Sequence, residues 1–328
     1  QGSEDEMEFK QTFPNPCTVR EALTQYFDIQ GPAKQALLKH LLPYVVDRQQ
    51  NAWLSDILKK ENRDALKKLS EEDGKSLVDL LANELSSCKI PLSDFMHFVP
   101  HIQPRYYTIS SSSSVHPDNV HVTISITEYL LKSGKNFIGL TSGFLKDLEP
   151  GTRTCRVFVR PSSFRLPESL STPIVMIGPG TGLAPMRALL QERKFQQSTQ
   201  KPKQAPRNVL FFGCKNRDVD FIYRDELEAF EKGGILTKLY TAFSRDGKKK
   251  VYVQDLMAEP ETSTELLELV TEQNAYVYVC GATAMGSDVM ATFVKLLQDK
   301  KGMSAAQATS FIKELQDKGR YVQELWSA

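Results

Sequence analysis

The chain has 328 residues, 41 Lys+Arg against 40 Asp+Glu and a formal net charge of +1. Hydrophobic residues make up 41% and charged residues 25%, which excludes a disordered chain, a collagen-like repeat and a disulfide-dense miniprotein. The near-neutral balance also argues against a nucleic-acid binder, and the length implies about two domains.

All five histidines (His40, His97, His101, His116, His121) precede position 122, so a His-based triad or a His-ligated metal cannot be built from the later residues alone. No apolar run approaches the ~18 residues that span a bilayer. The opening Q-G-S-E-D-E-M-E-F-K is acidic and polar, unlike a secretory signal, and its first three residues read as a cloning remnant. Five widely spaced cysteines without a C-x-x-C pair suggest buried thiols in a reduced, cytoplasmic setting. No membrane contact is expected from this segment.

Along the chain, residues 19–27 read as a helix opened by a Thr18/Glu21 capping box. Helical spacing recurs over 33–46, with Leu37, Leu38, Leu41, Leu42 and Val45 on one face, and over 76–85 with Leu77, Leu80, Leu81 and Leu85. Shorter helices are expected at 53–58, 65–69 and 91–98. Taken alone, this zone reads as a small helical domain without chemistry.

Residues 104 to about 165 change character. The stretches 121–129 and 154–158 are rich in β-branched residues, and turn signals separate the strands at 117–119, 133–135 and 150–151. That spacing predicts an antiparallel barrel or sandwich. From about 172, short apolar strands (173–177, 209–212, 235–243, 276–280) alternate with helical patterns (184–194, 224–232, 263–270, 287–299, 305–318). Alternation of this kind predicts a doubly wound parallel sheet.

Four signals carry chemistry. I-G-P-G-T-G-L-A-P, 177–185, follows a strand and opens a helix. Its glycines allow close backbone approach, and the helix start offers free N–H groups to a phosphate. It is not G-x-G-x-x-G, because the sixth position is Leu183, and a plain tight turn is the competing reading. S-R-D-G-K-K-K-V-Y-V-Q, 244–254, combines Ser244, Arg245, Lys250 and Tyr252. The cations suit a phosphate and the ring suits a purine; a charged surface turn is the bland alternative. Together the two signals favour NADP over NAD. R-Y-Y-T-I-S, 105–110, could pair Arg105 with a pyrophosphate, stack Tyr107 on a flat ring and donate from Thr108, or be an ordinary strand. The end, Y-V-Q-E-L-W-S-A, places an aromatic where it could fill a core or cover a ring.

These motifs, with I-G-L-T-S-G-F-L, K-V-Y-V-Q and Y-V-C-G, resemble the NADPH–cytochrome P-450 reductase (diflavin reductase) family from about Pro16 to the end. The resemblance implies a ferredoxin–NADP reductase-like fold, α+β and α/β. It would comprise a tail at 1–14, a helical connecting domain at 15–103, an FAD-binding β-barrel at 104–168 lacking its opening strands, and an NADPH-binding α/β domain at 169–328.

By the same resemblance, Arg105, Tyr107 and Thr108 hold the flavin diphosphate and ring. Thr123, Ser125 and Tyr129 lie around the FAD adenine and diphosphate, while Gly139, Leu140, Thr141 and Ser142 form a diphosphate loop. Thr181 contacts the nicotinamide dinucleotide. Ser244, Arg245, Lys250, Tyr252 and Gln254 form the 2′-phosphate cluster, and Asp288 is a further contact. Cys280 lies near the nicotinamide, Trp326 covers the isoalloxazine, and Thr108, Cys280, Glu324 and Trp326 form the catalytic set. FAD and NADPH are the implied cofactors, with FMN held by a separate flavodoxin-like domain absent from this chain. A haem protein such as a cytochrome P-450 is the implied acceptor, at the cytosolic face of the endoplasmic reticulum.

The sequence departs from the family pattern in several places. Thr108 replaces Ser, Glu324 replaces Asp, Ala282 replaces Asp, one residue is missing between Gly281 and Asp288, and the chain continues past W-S to Ala328. Without an FMN domain, an anchor or the opening barrel strands, the chain reads as half of a longer reductase. The reductase part of a nitric oxide synthase or sulfite reductase, and a silent NADPH-binding module, are the alternatives.

Overall fold

The computed structural model describes residue 14, residues 16–200 and residues 204–326. Apart from residue 14, the expected N-terminal tail lies outside the described residues, as do Ser327 and Ala328. The chain divides into two compact units, residues 1–106 with 126–153, and residues 107–125 with 154–328. The segment read as the barrel, 104–168, is thus shared between them.

The first unit is mainly helical: α1 (Val19–Gln25), α2 (Gln35–Leu41), α3 (Arg48–Ile57), α4 (Arg63–Lys67), α5 (Leu77–Ala82) and α6 (Leu92–Phe98). Polar side chains start several of them. The Thr18 hydroxyl accepts from the Glu21 N–H while the Glu21 carboxylate accepts from the Thr18 N–H, and Ser76 and Asp79 repeat the box at α5. Asp47 caps α3 through the N–H groups of Gln49 and Gln50, both at 2.9 Å. The apolar faces meet in one core of Phe27, Leu38, Leu41, Leu54, Leu77, Leu80 and Leu85. A hairpin of β1 (Glu128–Leu130) and β2 (Asn136–Ile138) leads into α7 (Leu140–Lys146). Lys135 ties its turn to α5 through Asp79 at 2.8 Å.

The second unit runs β3 (Ile174–Ile177), α8 (Leu183–Thr199), β4 (Asn208–Cys214), α9 (Arg217–Asp220), α10 (Arg224–Lys232), β5 (Lys238–Phe243), α11 (Val253–Met257), α12 (Pro260–Thr271), β6 (Tyr276–Ala282), α13 (Thr283–Lys301), α14 (Ala305–Asp317) and β7 (Tyr321–Trp326). The strands form one parallel sheet, ordered β5-β4-β3-β6-β7. Strand alternation sends Val175, Ile177, Val209, Phe211, Val277 and Val279 into one core, which α11–α14 also line. Ile174, Met176, Leu210, Phe212, Tyr278 and Cys280 enter a second, shared with α8 and α10. Covered on both faces, these strands need continuous apolar runs. The last strand, β7, is absent from the sequence reading because Y-V-Q-E-L-W mixes polar and apolar residues and no helix follows it.

Two expected strands are corrected. Of 121–129, only 128–130 forms a ladder; Val122 makes a single bridge to Ile109, with the Ser110 N–H donating to the His121 carbonyl at 2.8 Å. Residues 154–158 form no ladder. A strand needs a neighbour to pair its N–H and C=O groups. Residues 154–158 are not drawn into a ladder of this kind, and Val157 stays 81% exposed. β-branched composition there marks readiness to pair. No helix of the described residues is long and apolar enough to cross a membrane.

Candidate functional site

The second unit reverses its strand order at β3. The chain moves outward through β4 and β5, then returns to place β6 on the other side of β3. The carboxyl ends of β3 and β6 therefore flank the kind of crevice where open α/β sheets bind ligands. The G-P-G-T-G turn lies there. Gly180 has φ of +57°, which favours glycine. Any Cβ on Gly182 would run into the Cys280 carbonyl, and one on Gly178 into the Gly182 carbonyl. The turn is thus pressed against β6, with Thr181 inside it. The 17-residue helix α8 starts without a side-chain cap; its Leu183 N–H is taken by the Gly180 carbonyl of the turn, and Pro185 carries no N–H.

A second cluster joins the turn around Gly213, whose added Cβ would lie 3.1 Å from Val253 and 3.3 Å from Pro179. The Ser244 N–H donates to the Cys214 carbonyl at 3.0 Å and the Arg245 N–H to the Lys215 carbonyl at 2.8 Å. That pins the S-R-D turn to the end of β4, with Arg245 and Lys250 exposed to solvent. Tyr252 starts α11, its N–H on the Asp255 carboxylate at 2.8 Å, and leaves its ring half-exposed. The Gln254 amide reaches Asp288 at 3.5 Å, while its carbonyl oxygen is a buried acceptor with no protein donor. Arg217, which the sequence reading did not single out, stacks its guanidinium on the Phe243 ring at 4.3 Å. Exposed cations, a free aromatic face and an orphaned acceptor fit a phosphorylated nucleotide.

A third cluster forms at the ends of β6 and β7, where Cys280 and Glu324 are register partners. The Thr108 hydroxyl donates to Glu324 Oε2 at 3.2 Å and the Ser162 hydroxyl to Oε1 at 2.5 Å. Burial pushes the Cys280 thiol up to about 12; the Glu324 charge adds to this and a hydrogen bond with Thr108 opposes it. The thiol is therefore protonated at neutral pH and unsuited to nucleophilic attack. Two residues beyond Glu324, the Trp326 ring is 41% exposed, and its carbonyl accepts from Thr283 Oγ1 at 3.1 Å. The structure so brings together Thr108, Cys280 and Glu324 and adds Ser162, with Trp326 two residues further along β7.

Thr108 is placed by a polar clamp that sequence patterns did not flag. Arg187 on α8 donates to the Ser110 carbonyl at 2.7 Å and pairs with Glu226 at 2.5 Å. It also lies over the Tyr223 ring at 4.4 Å. Ser112 binds Gln191 and Glu192. Nothing in the spacing marks Arg187, because an arginine on a helix reads as a solvated face.

The flavin-side residues fall in both units. In the second, Tyr107 and Ser125 are exposed, and the Thr123 hydroxyl is already bonded to the Tyr223 hydroxyl at 2.9 Å. In the first, Arg105 donates to the Gln103 carbonyl at 2.5 Å. Tyr129 stacks on Phe137 with centroids 4.9 Å apart. Gly139 precedes α7, and a Cβ there would crowd Ser142 at 2.7 Å and Thr127 at 2.9 Å. The first N–H groups of α7, from Leu140 to Ser142, have no intrahelical acceptor, an arrangement that fits a diphosphate.

Residues 2–144 match the FAD binding domain family, and residues 176–291 match the oxidoreductase NAD-binding domain family. NADPH–cytochrome P450 reductase of Drosophila melanogaster is 38% identical over 325 residues, 97% of this chain and 47% of its own length. That of Musca domestica is 37% identical over 324 residues, again 97% and 47%. The Homo sapiens reductase is 36% identical over 332 residues, 99% of this chain and 48% of its own. The chain spans about half the length of the curated relatives it matches. It is thus built from an FAD-binding domain and an oxidoreductase NAD-binding domain, and is similar over nearly its whole length to NADPH–cytochrome P450 reductases.

Proposed function

We propose that the chain is the FAD- and NADPH-binding part of an NADPH-dependent haemoprotein reductase. The observation that carries this reading is the cluster of Thr108, Cys280 and Glu324 at the end of β6, against whose Cys280 carbonyl the glycine turn is packed. One ligand lying along that crevice would reach both.

The turn with Thr181 and the start of α8 would hold the dinucleotide diphosphate. Ser244, Arg245 and Lys250 would hold the 2′-phosphate, Tyr252 would stack on the adenine, and Gln254 and Asp288 would orient the sugar end. In the first unit, Arg105, Gly139, Leu140, Thr141 and Ser142 would bind a diphosphate and Tyr129 would meet an adenine; in the second, Tyr107 would stack on a flavin ring, with Thr123 and Ser125 on an adenine side. Bound FAD supplies the redox chemistry, accepting two electrons and a proton from NADPH. The protein would orient the reacting faces: Thr108, Cys280 and Glu324 would offer hydrogen-bonding groups towards the nicotinamide, and Trp326 would swing aside to admit it. Electrons then pass to an FMN domain and a haem acceptor such as a cytochrome P450, at the cytosolic face of the endoplasmic reticulum.

The test is direct. The purified protein should be yellow, with flavin absorbance bleached by NADPH and barely by NADH. A colourless protein that binds NADP and cannot be loaded with FAD overturns the reductase reading in favour of a silent nucleotide-binding module.

A further inference from the structure

We propose that Ser162 is a positioning residue that holds Glu324 in place for hydride transfer; this rests on the reading above. The P-S-S-F segment at 161–164 carries no recognisable motif, yet it forms a local turn held against β6 by Tyr278. The Phe164 N–H donates to the Ser162 hydroxyl oxygen at 3.0 Å. The Phe164 ring packs edge-on against Tyr278, centroids 5.4 Å apart. The Tyr278 hydroxyl donates to the Arg165 carbonyl at 2.6 Å. Tyr278 lies on β6 two residues before Cys280, so Ser162 is anchored to the strand that bears the thiol.

The direction of the hydrogen bonds follows. With its oxygen accepting from Phe164, the Ser162 proton is free to be donated to Glu324 Oε1. Thr108 occupies Oε2. Both oxygens of one carboxylate are thereby loaded by hydroxyls from separate segments, and the carboxylate cannot rotate without breaking one of them.

The experiment uses FAD-loaded full chain with Ser162→Ala, Ser162→Thr, Glu324→Gln and the Ser162→Ala/Glu324→Gln pair. Stopped-flow reduction by NADPH should slow about tenfold in Ser162→Ala, with NADPH affinity unchanged. Ser162→Thr, which keeps the hydroxyl, should recover most of the rate. In the Glu324→Gln background, removing Ser162 should add little, because its effect runs through the carboxylate. Independently of activity, the Glu324 side-chain carboxyl carbon, assigned by Glu324→Gln, should shift in the NMR spectrum of Ser162→Ala and not of Ser162→Thr. An unmoved resonance, or an equal rate loss in both backgrounds, overturns the role of Ser162 while leaving the function standing. Wild-type flavin that NADPH fails to reduce overturns the function itself, and with it the role.

Discussion

Cys280 and Glu324 are partners across the parallel β6–β7 ladder, and the carboxylate is one of the groups that keeps its neighbour a thiol. Cys280 lies on β6, one wall of the crevice at which the strand order reverses. A protonated sulfur can therefore stand beside the carboxylate without becoming a competing nucleophile.

That protonation is measurable. With Cys280 buried and pushed up to about 12, iodoacetamide at pH 7.5 should label exposed Cys155 and spare Cys280, as read by peptide mass spectrometry. Labelling of Cys280 at the rate of Cys155 would contradict its burial. The raised value also sets a stability slope. The folded thiol stays protonated from about 9 to about 12 while the unfolded one ionises, so this contribution is intact below pH 9 and is lost as pH rises through that window. Cys280→Ser should flatten the slope in urea unfolding.

Arg245 and Lys250 flank an exposed turn anchored on β4. Replacing both with Ala should lower kcat/KM for NADPH at least tenfold and leave NADH almost unchanged, since each charge-assisted bond to a phosphate is worth about 1.5–3 kcal/mol and ~1.4 kcal/mol is tenfold. Equal losses for both cofactors would remove the 2′-phosphate assignment.

Trp326 is half-exposed at the end of β7. If its ring competes with nicotinamide, Trp326→Ala should raise turnover with NADH severalfold in steady-state assays, and an unchanged NADH rate would count against the lid.

Gly182 touches the Cys280 carbonyl so closely that a methyl has no room. Both partners are backbone and cannot swing away. Gly182→Ala should destabilise the second unit by about 1–3 kcal/mol and weaken NADP binding together, checked by urea unfolding and titration. Gly180→Ala, at an open left-handed position, should cost less, on the order of 1 kcal/mol.

Asp79 joins the Ser76 capping box to Lys135 on the hairpin turn, and these contacts, that with Lys135 foremost, lower its carboxyl to about 2. A lowered folded value stabilises the ionised form, so the contribution is present above about pH 4 and disappears as pH falls towards 2. Asp79→Asn should cost the first unit about 1 kcal/mol at pH 7, less than a buried pair would, because the site is partly solvated. The difference from wild type should vanish near pH 2 in pH-dependent unfolding.

Local patterns in the sequence determined the longer helices and the strands β3, β4, β5 and β6. Capping boxes at Thr18 and Ser76, and apolar runs such as Ile174–Ile177, carry their own geometry in spacing of 3.6 or 2 residues and in buried area on both sheet faces. The glycine turn and the Arg245–Lys250 cluster were legible too, because close approach and phosphate binding restrict residue type. Tertiary structure alone decided the rest. Whether 154–158 becomes a strand depends on a partner, which propensity cannot supply. That Y-V-Q-E-L-W becomes β7 depends on the free edge of β6. Ser162 and Arg187 are ordinary in the sequence; they matter because the fold carries Ser162 to Glu324 across 162 positions and Arg187 to the Ser110 carbonyl across 77. Hydrogen bonds of that span leave no periodicity behind them.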